Sequence, residues 1–156
     1  MVLSSEHRVN SPTDSLAQEA IHKFLKINRY LRIYSRQMDK QGVRPRQLAV
    51  LRFLLEAGEV TVGQVQAYLY CSPSTTSAII AKLEESGYVT RSRSAEDNRV
   101  VVVNLTAEGR AIAEDMPLGG IPLLRSKIGD LSATRLETIN SALSDLMELM
   151  EIQEDE

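Results

Sequence analysis

Apolar side chains recur at Leu16, Ala20, Phe24, Ile27, Leu31, Tyr34 and Met38, at spacings of four, four, three, four, three and four. This 3.6-residue rhythm predicts one amphipathic helix of about 25–30 residues. Its start is marked by Ser11-Pro12-Thr13-Asp14: the serine is placed to cap, proline suits the first helical position, and Asp14 favours the positive end of the helix dipole. The rhythm stops near Gln41-Gly42. A second helix follows Arg44-Pro45, with Leu48, Leu51, Leu54 and Leu55 inward and Gly58 as its stop. Thr61-Val62-Gly63-Gln64 has the form of a capping box and opens a short helix to about Leu69. Beyond the tight connection Tyr70-Cys71-Ser72, Ser72 and Pro73 open a fourth helix, expected to be buried through Ala78, Ile79 and Leu83 and ended by Ser86-Gly87.

The period then changes from helical to extended. Tyr88–Ser92 and Arg99–Leu105 are β-rich runs on either side of a polar tip, Arg93–Asn98. Thr106 starts another helix, and Met116–Pro122 interrupts it with two prolines and two glycines. A last helix after Leu131-Ser132 carries Leu136, Ile139, Leu143, Leu146 and Met150. Residues 1–10 have no periodicity and are expected to be mobile.

The predicted fold is mainly α with a small β-wing. A winged helix-turn-helix at 45–109 lies between an N-terminal dimerisation helix (11–44) and C-terminal dimerisation helices (110–153), all in one intertwined domain. The terminal apolar stripes exceed what one compact chain needs. They are expected to pack on each other and on a second copy, and a symmetric homodimer is the economical solution.

Composition changes this picture little. The chain has 156 residues, 43% apolar and 25% charged, enough for one globular domain with a sizeable core. No apolar run approaches the roughly 20 residues of a membrane span, and the N-terminus has neither the basic start nor the apolar stretch of a signal peptide. A single cysteine, Cys71, cannot form an internal disulfide, so a cytoplasmic location is expected.

Charge matters through its distribution. The net charge of −3 argues at first against a nucleic-acid partner. Yet nine Lys and Arg fall between Ala20 and Leu55 with Asp39 as the one acid among them, whereas Leu136–Glu156 holds seven acids and no base. An acidic tail masks a basic body.

Ser74, Thr75, Thr76 and Ser77 stand at the front of the fourth helix, and short hydrogen-bonding side chains are what a helix needs to approach base edges in a major groove. Lys82, two turns on, is placed to reach the phosphate backbone. Arg93 and Arg99 flank the hairpin tip, where an arginine suits the narrow, negative minor groove, and Asp97 could brace the Arg99 guanidinium by a bidentate pair. Serine-rich helix starts and charged hairpin tips are each common for local reasons. Their succession within one motif points to double-stranded DNA.

These motifs carry a resemblance. Arg46-Gln-Leu-Ala-Val-Leu51, Ser72-Pro-Ser-Thr-Thr-Ser77, Lys82-Leu-Glu-Glu-Ser-Gly-Tyr-Val89, Asp97-Asn-Arg99 and Leu105-Thr-Ala-Glu-Gly109 make the chain similar to the MarR (multiple antibiotic resistance regulator) family of winged-helix transcription factors, from about Leu16 to Met150. The resemblance implies a homodimer with interlocked terminal helices on a pseudo-palindromic operator. It also implies repression of transcription, with release by a small phenolic or carboxylate effector bound between the dimer and DNA-binding regions. By position, Ser74–Ser77 and Lys82 would lie on the recognition helix, and Arg99, braced by Asp97, would be the minor-groove arginine. The chain departs from the family at Ala78 and Asn98, where a basic residue is frequent, and Ser72–Arg110 holds five basic and five acidic side chains. Moderate, strongly salt-dependent affinity or a different operator choice would follow.

Other functions find less support. His7 and His22 are far apart, without a cysteine or carboxylate cluster at metal spacing, and no Gly-rich phosphate loop, nucleophile elbow or catalytic acid pair is present. No cofactor, metal or enzymatic activity is expected. Cys71, directly before the cap of the fourth helix, is either a small buried residue or an oxidant sensor, as in some members of the family. The basic run Lys23, Lys26, Arg29, Arg36 and Lys40 is either a solvated face or part of an anion site. A winged-helix protein–protein interaction module and a constitutive DNA-architectural protein are the alternatives to a regulator. The first would bind neither random nor selected DNA, and the second would bind both equally.

Overall fold

The computed structural model describes residues 11–153; residues 1–10, expected to be mobile, and His7 among them lie outside that span. The elements are α1 (Pro12–Lys40), α2 (Pro45–Ala57), β1 (Val60–Thr61), α3 (Val62–Leu69), α4 (Pro73–Glu85), β2 (Val89–Arg93), β3 (Val101–Leu105), α5 (Ala107–Asp115), α6 (Gly120–Ile128) and α7 (Ala133–Leu149). Most helices start where a short side chain can satisfy a backbone N–H that has no partner inside the helix. Ser11 and Asp14 form a reciprocal box at 3.0 and 3.1 Å, and Thr61 and Gln64 another at 2.7 and 3.1 Å. The hydroxyls of Ser72, Thr106 and Ser132 cap α4, α5 and α7.

The hairpin pairs Val89 with Leu105 through Arg93 with Val101. A third strand, β1, adds to the far side of β3 and gives the order β1-β3-β2. At two residues β1 is too short to leave a periodic signal. The second run begins at Val101 rather than Arg99, so Arg99 belongs to the tip.

One core binds α2, α3, α4 and the sheet through Leu51, Leu54, Val65, Ile80, Leu83, Val89 and Val103. A second, smaller core joins Tyr34 and Met38 of α1 to Val43, Leu48 and Met116. Helix α4 sits in a register other than the expected one. Thr76, Ile80 and Leu83 face inward, Ile79 is half-buried and Ala78 is exposed. With Ile79 and Ile80 adjacent, either register offers an isoleucine to the core; the one adopted also buries Thr76, whose hydroxyl donates to the Ser72 carbonyl oxygen at 3.1 Å.

Two glycines mark close joints. A Cβ on Gly109 would overlap the carbonyl oxygen of Tyr88, so α5 meets the base of the wing at backbone distance. Thr106 fixes the same joint by donating its hydroxyl to the Gly87 carbonyl oxygen at 2.7 Å. Gly120, with φ +54°, starts α6 against the ring of Tyr34, where a Cβ would come within 2.6 Å of the ring. The N–H groups of Gly119 and Gly120 donate to the hydroxyls of Tyr34 and Tyr30 at 3.2 and 3.1 Å, so α1 holds the start of α6. Burial pushes the Tyr34 phenol up from its ordinary pKa, which keeps it a neutral donor and acceptor.

Beyond this joint the long helices are bare. Leu16, Ile21, Leu25, Ile27 and Tyr30 of α1 are exposed, and α7 has no buried residue at all. Among the described residues no helix is long and apolar enough to cross a membrane.

Candidate nucleic-acid interface

The exposed face of α4 is defined by what lies opposite Thr76, Ile80 and Leu83. Ser74, Ser77, Ala78, Ala81, Lys82 and Glu85 are exposed at spacings of three, one, three, one and three, a single helical stripe. Four of the six are serine or alanine, so the helix backbone can approach a partner closely. Ser72 Oγ accepts the Thr75 N–H at 3.3 Å, donates to Thr75 Oγ1 at 2.9 Å, and lies 3.1 Å from Ser74 Oγ. The front of the helix thus carries a connected hydroxyl cluster; Ser72 takes up the N–H groups of Thr75, through its hydroxyl, and of Thr76, through its carbonyl, so the hydroxyls are the polar groups presented at this end.

Of the expected groove residues, Ser74, Ser77 and Lys82 therefore share one face, and Thr75 sits half-buried at its edge. Thr76 does not belong with them. It is fully buried at 0% exposure, turned toward the core, and cannot meet a base. At the other end of the stripe Lys82 pairs with Glu85 at 2.7 Å, and the ammonium holds that carboxyl below its ordinary pKa. Both groups are largely in water, so a phosphate can compete for the lysine.

The wing shares the core with α4 at its base, through Val89 and Val103, and one exposed ion pair adds a polar tie. Arg91 Nε donates to Glu84 Oε2 at 2.9 Å, and the guanidinium keeps the Glu84 carboxyl below its usual value, chiefly through that hydrogen bond. Arg91 is thus engaged inside the protein. At the tip, Arg93 donates to the Asn98 carbonyl oxygen at 3.1 Å, and the Val100 N–H donates to the Asp97 carbonyl oxygen at 2.9 Å. Asp97 acts differently from expectation: its carboxylate accepts the backbone N–H of Arg99 at 2.9 Å instead of pairing with the guanidinium. An aspartate two residues upstream is well placed for such a local turn. It fixes the Arg99 backbone and leaves the Arg99 side chain exposed.

A cleft of about 1050 Å³ opens between α1, α2, α4 and α6. Arg44, Arg46, Lys82 and Arg125 line it, with Asp39 as its one acid. None of Lys23, Lys26, Arg29, Arg36 or Lys40 lines it; these remain on the exposed face of α1, where Lys23 pairs with Glu19 at 2.7 Å. No local motif advertised the cleft, because its walls come from segments as distant in sequence as Ser35 and Arg125. Cys71 is half-buried beside it in the chain, and its thiol donates to the Leu69 carbonyl oxygen at 3.5 Å. Among the described residues no three His, Cys, Asp or Glu side chains gather as a metal site requires.

Comparison with known proteins agrees with this geometry. Residues 41–99 match the model of the MarR family. The organic hydroperoxide resistance transcriptional regulator of Bacillus subtilis is 32% identical over 120 residues, which span 75% of this chain and 78% of that protein. Streptococcus pneumoniae FabT, solved in complex with DNA, superposes with a TM-score of 0.57 at 24% identity, over 86% of this chain and 97% of that one. The S. aureus MepR–DNA complex gives a TM-score of 0.56 at 17% identity, over 90% and 99%. At such identities the two structures speak for the fold, a winged helix. The sequence relatives are transcriptional regulators and not enzymes, and the chain belongs to the MarR family.

Proposed function

We propose that this chain, a DNA-binding transcriptional regulator of the MarR family, works in the cytoplasm as a homodimeric repressor. It sets two copies of α4 into the major grooves of a pseudo-palindromic operator, with Arg99 of each wing in the flanking minor groove. The observation that carries this reading is the stripe Ser74, Ser77, Ala78, Ala81, Lys82 and Glu85: small and hydrogen-bonding, with a lysine at its far end whose exposed pair with Glu85 a phosphate can displace. The exposed apolar faces of α1 and α7 support the dimer, since a soluble protein rarely leaves such long stripes unmatched. Arg44, Arg46 and Lys82, with Asp39 as the one acid lining the cleft, support a small phenolic or carboxylate effector, held between the α1–α6 side and α4.

Selection of bound duplexes from a random pool, repeated with benzoate and with phenol, tests the whole reading. A palindromic consensus, weakened by one of these ligands, is the expected result. Equal binding to all sequences would indicate an architectural protein, and no binding at low salt an interaction module; either result sinks the proposal.

A further inference from the structure

Arg125, on α6, lies 56 and 57 residues from the two carbonyl groups it serves. Its guanidinium donates to the Tyr68 carbonyl oxygen and, at 3.3 Å, to that of Leu69. These are the last residues of α3, where carbonyl groups lack partners within the helix. The same guanidinium lies over the Tyr68 ring at 4.7 Å and near the Tyr70 ring at 5.9 Å. Tyr68 in turn stacks on Phe53 of α2, with ring centroids 4.3 Å apart and planes 3° from parallel. The planar fork is therefore held by two acceptors and a stacked aromatic pair, an arrangement a lysine cannot reproduce.

What the fork holds is the turn that aims α4. Tyr70 has φ 51° and ψ 48°, the left-handed region that a residue with a Cβ seldom adopts. The residue is 90% exposed, so packing into the core does not impose that backbone. Two residues later Ser72 caps α4, and a rotation at Tyr70 would swing the cap and the face of α4 with it. The other end of α6 is held by Tyr30 and Tyr34 of α1.

We infer that Arg125 is a positioning residue for the recognition helix, acting through the α3–α4 connection and tying its aim to α1. The inference rests on the proposal that α4 reads DNA. Arg125 itself is half-buried in the cleft beside that helix, with its guanidinium taken up by the α3 carbonyl groups, and is not one of the residues assigned to DNA.

Full-length protein with Arg125→Met and with Arg125→Lys tests it, by titration against the selected operator and a scrambled duplex over a range of salt. Arg125→Met is expected to weaken operator binding about tenfold, the scale of a coupling residue outside the binding surface. Affinity for scrambled DNA and the salt dependence stay as in the unaltered protein, and amide exchange at residues 70–76 quickens. Arg125→Lys keeps the charge without the fork and recovers only part of the loss. If Arg125→Met does not fold, the lysine variant decides alone by the same ratio of operator to scrambled affinity. An unchanged ratio overturns the inference, as does full recovery by lysine. A drop in the salt slope of about one unit also overturns it, since that marks a direct phosphate contact. Failure of the unaltered protein to prefer any sequence would instead remove the DNA-reading proposal.

Discussion

Leu48, Leu51 and Leu54 of α2 and Leu16, Phe24 and Ile27 of α1 recur at similar helical spacings. The first three are at most 1% exposed, and the second three are 36–67% exposed. Both stripes promise burial equally well when read along the sequence. In the region from α2 to β3, neighbouring elements of the same chain supply the partner surface, and the core closes within the chain. In α1 and α7 they do not: α1 buries Tyr34 and Met38 in its C-terminal half and is held there also by the Tyr30 hydroxyl, and α7 has no buried residue. Periodicity thus reports that a face must be covered and is silent on whose surface covers it.

The sharpest way to break this contrast is to remove apolar volume from each side. Leu51→Ala in the α2 core should cost about 2–5 kcal/mol, the range for emptying a fully packed leucine site. Chemical denaturation should show that loss at every protein concentration. Charging the bare stripes with Ile27→Asp and Leu143→Asp should instead leave each protomer folded and abolish association, as sedimentation would show. Operator affinity should then fall by about a hundredfold, the factor lost when two half-sites are no longer held together. A variant that remains dimeric with unaltered affinity would mean those faces are not the interface.

Smaller effects separate the two proposed grips on DNA. Arg99→Ala should weaken operator binding by about 1–3 kcal/mol at fixed salt, the scale of a good groove contact, without lowering the unfolding midpoint. The mildest effect concerns the tie between wing and α4. Arg91 depresses the folded pKa of Glu84, so the pair contributes above the ordinary carboxyl value of 4.5 and is lost as pH falls through the lower folded value. Glu84→Gln at neutral pH should reproduce the acid form, with NMR of the Arg91 side chain showing a freed guanidinium and only a slight change in operator affinity.

Much of the architecture was legible because it is written locally. Ser11, Thr61, Ser72, Thr106 and Ser132 each announce a helix start within four residues, and each caps one. The proline and glycine cluster parts α5 from α6, but the break is Met116–Gly119 and not the whole expected Met116–Pro122: Gly120 and Pro122 lie in the first turn of α6, where a missing N–H costs nothing. The exposure of Ser74, Ser77, Lys82, Arg93 and Arg99 was legible for the same reason: polar side chains at a helix front or hairpin tip have few places to go. What was not legible depends on distant partners. The register of α4 is decided by the core around Ile80, and β1 exists only because β3 is there to pair with it. The grip of Arg125 on Tyr68 and Leu69 joins residues that nothing in the linear order connects.

Gly109 has one more implication. Because α5 meets the Tyr88 carbonyl with no room for even a methyl group, the root of the hairpin has no slack in which to tilt. A lever with a rigid pivot can change its landing point only by changing its length. Operator preference in such a scaffold would therefore shift more readily through insertions and deletions between Ser94 and Val100 than through substitutions at the root, where any larger side chain would displace the backbone itself.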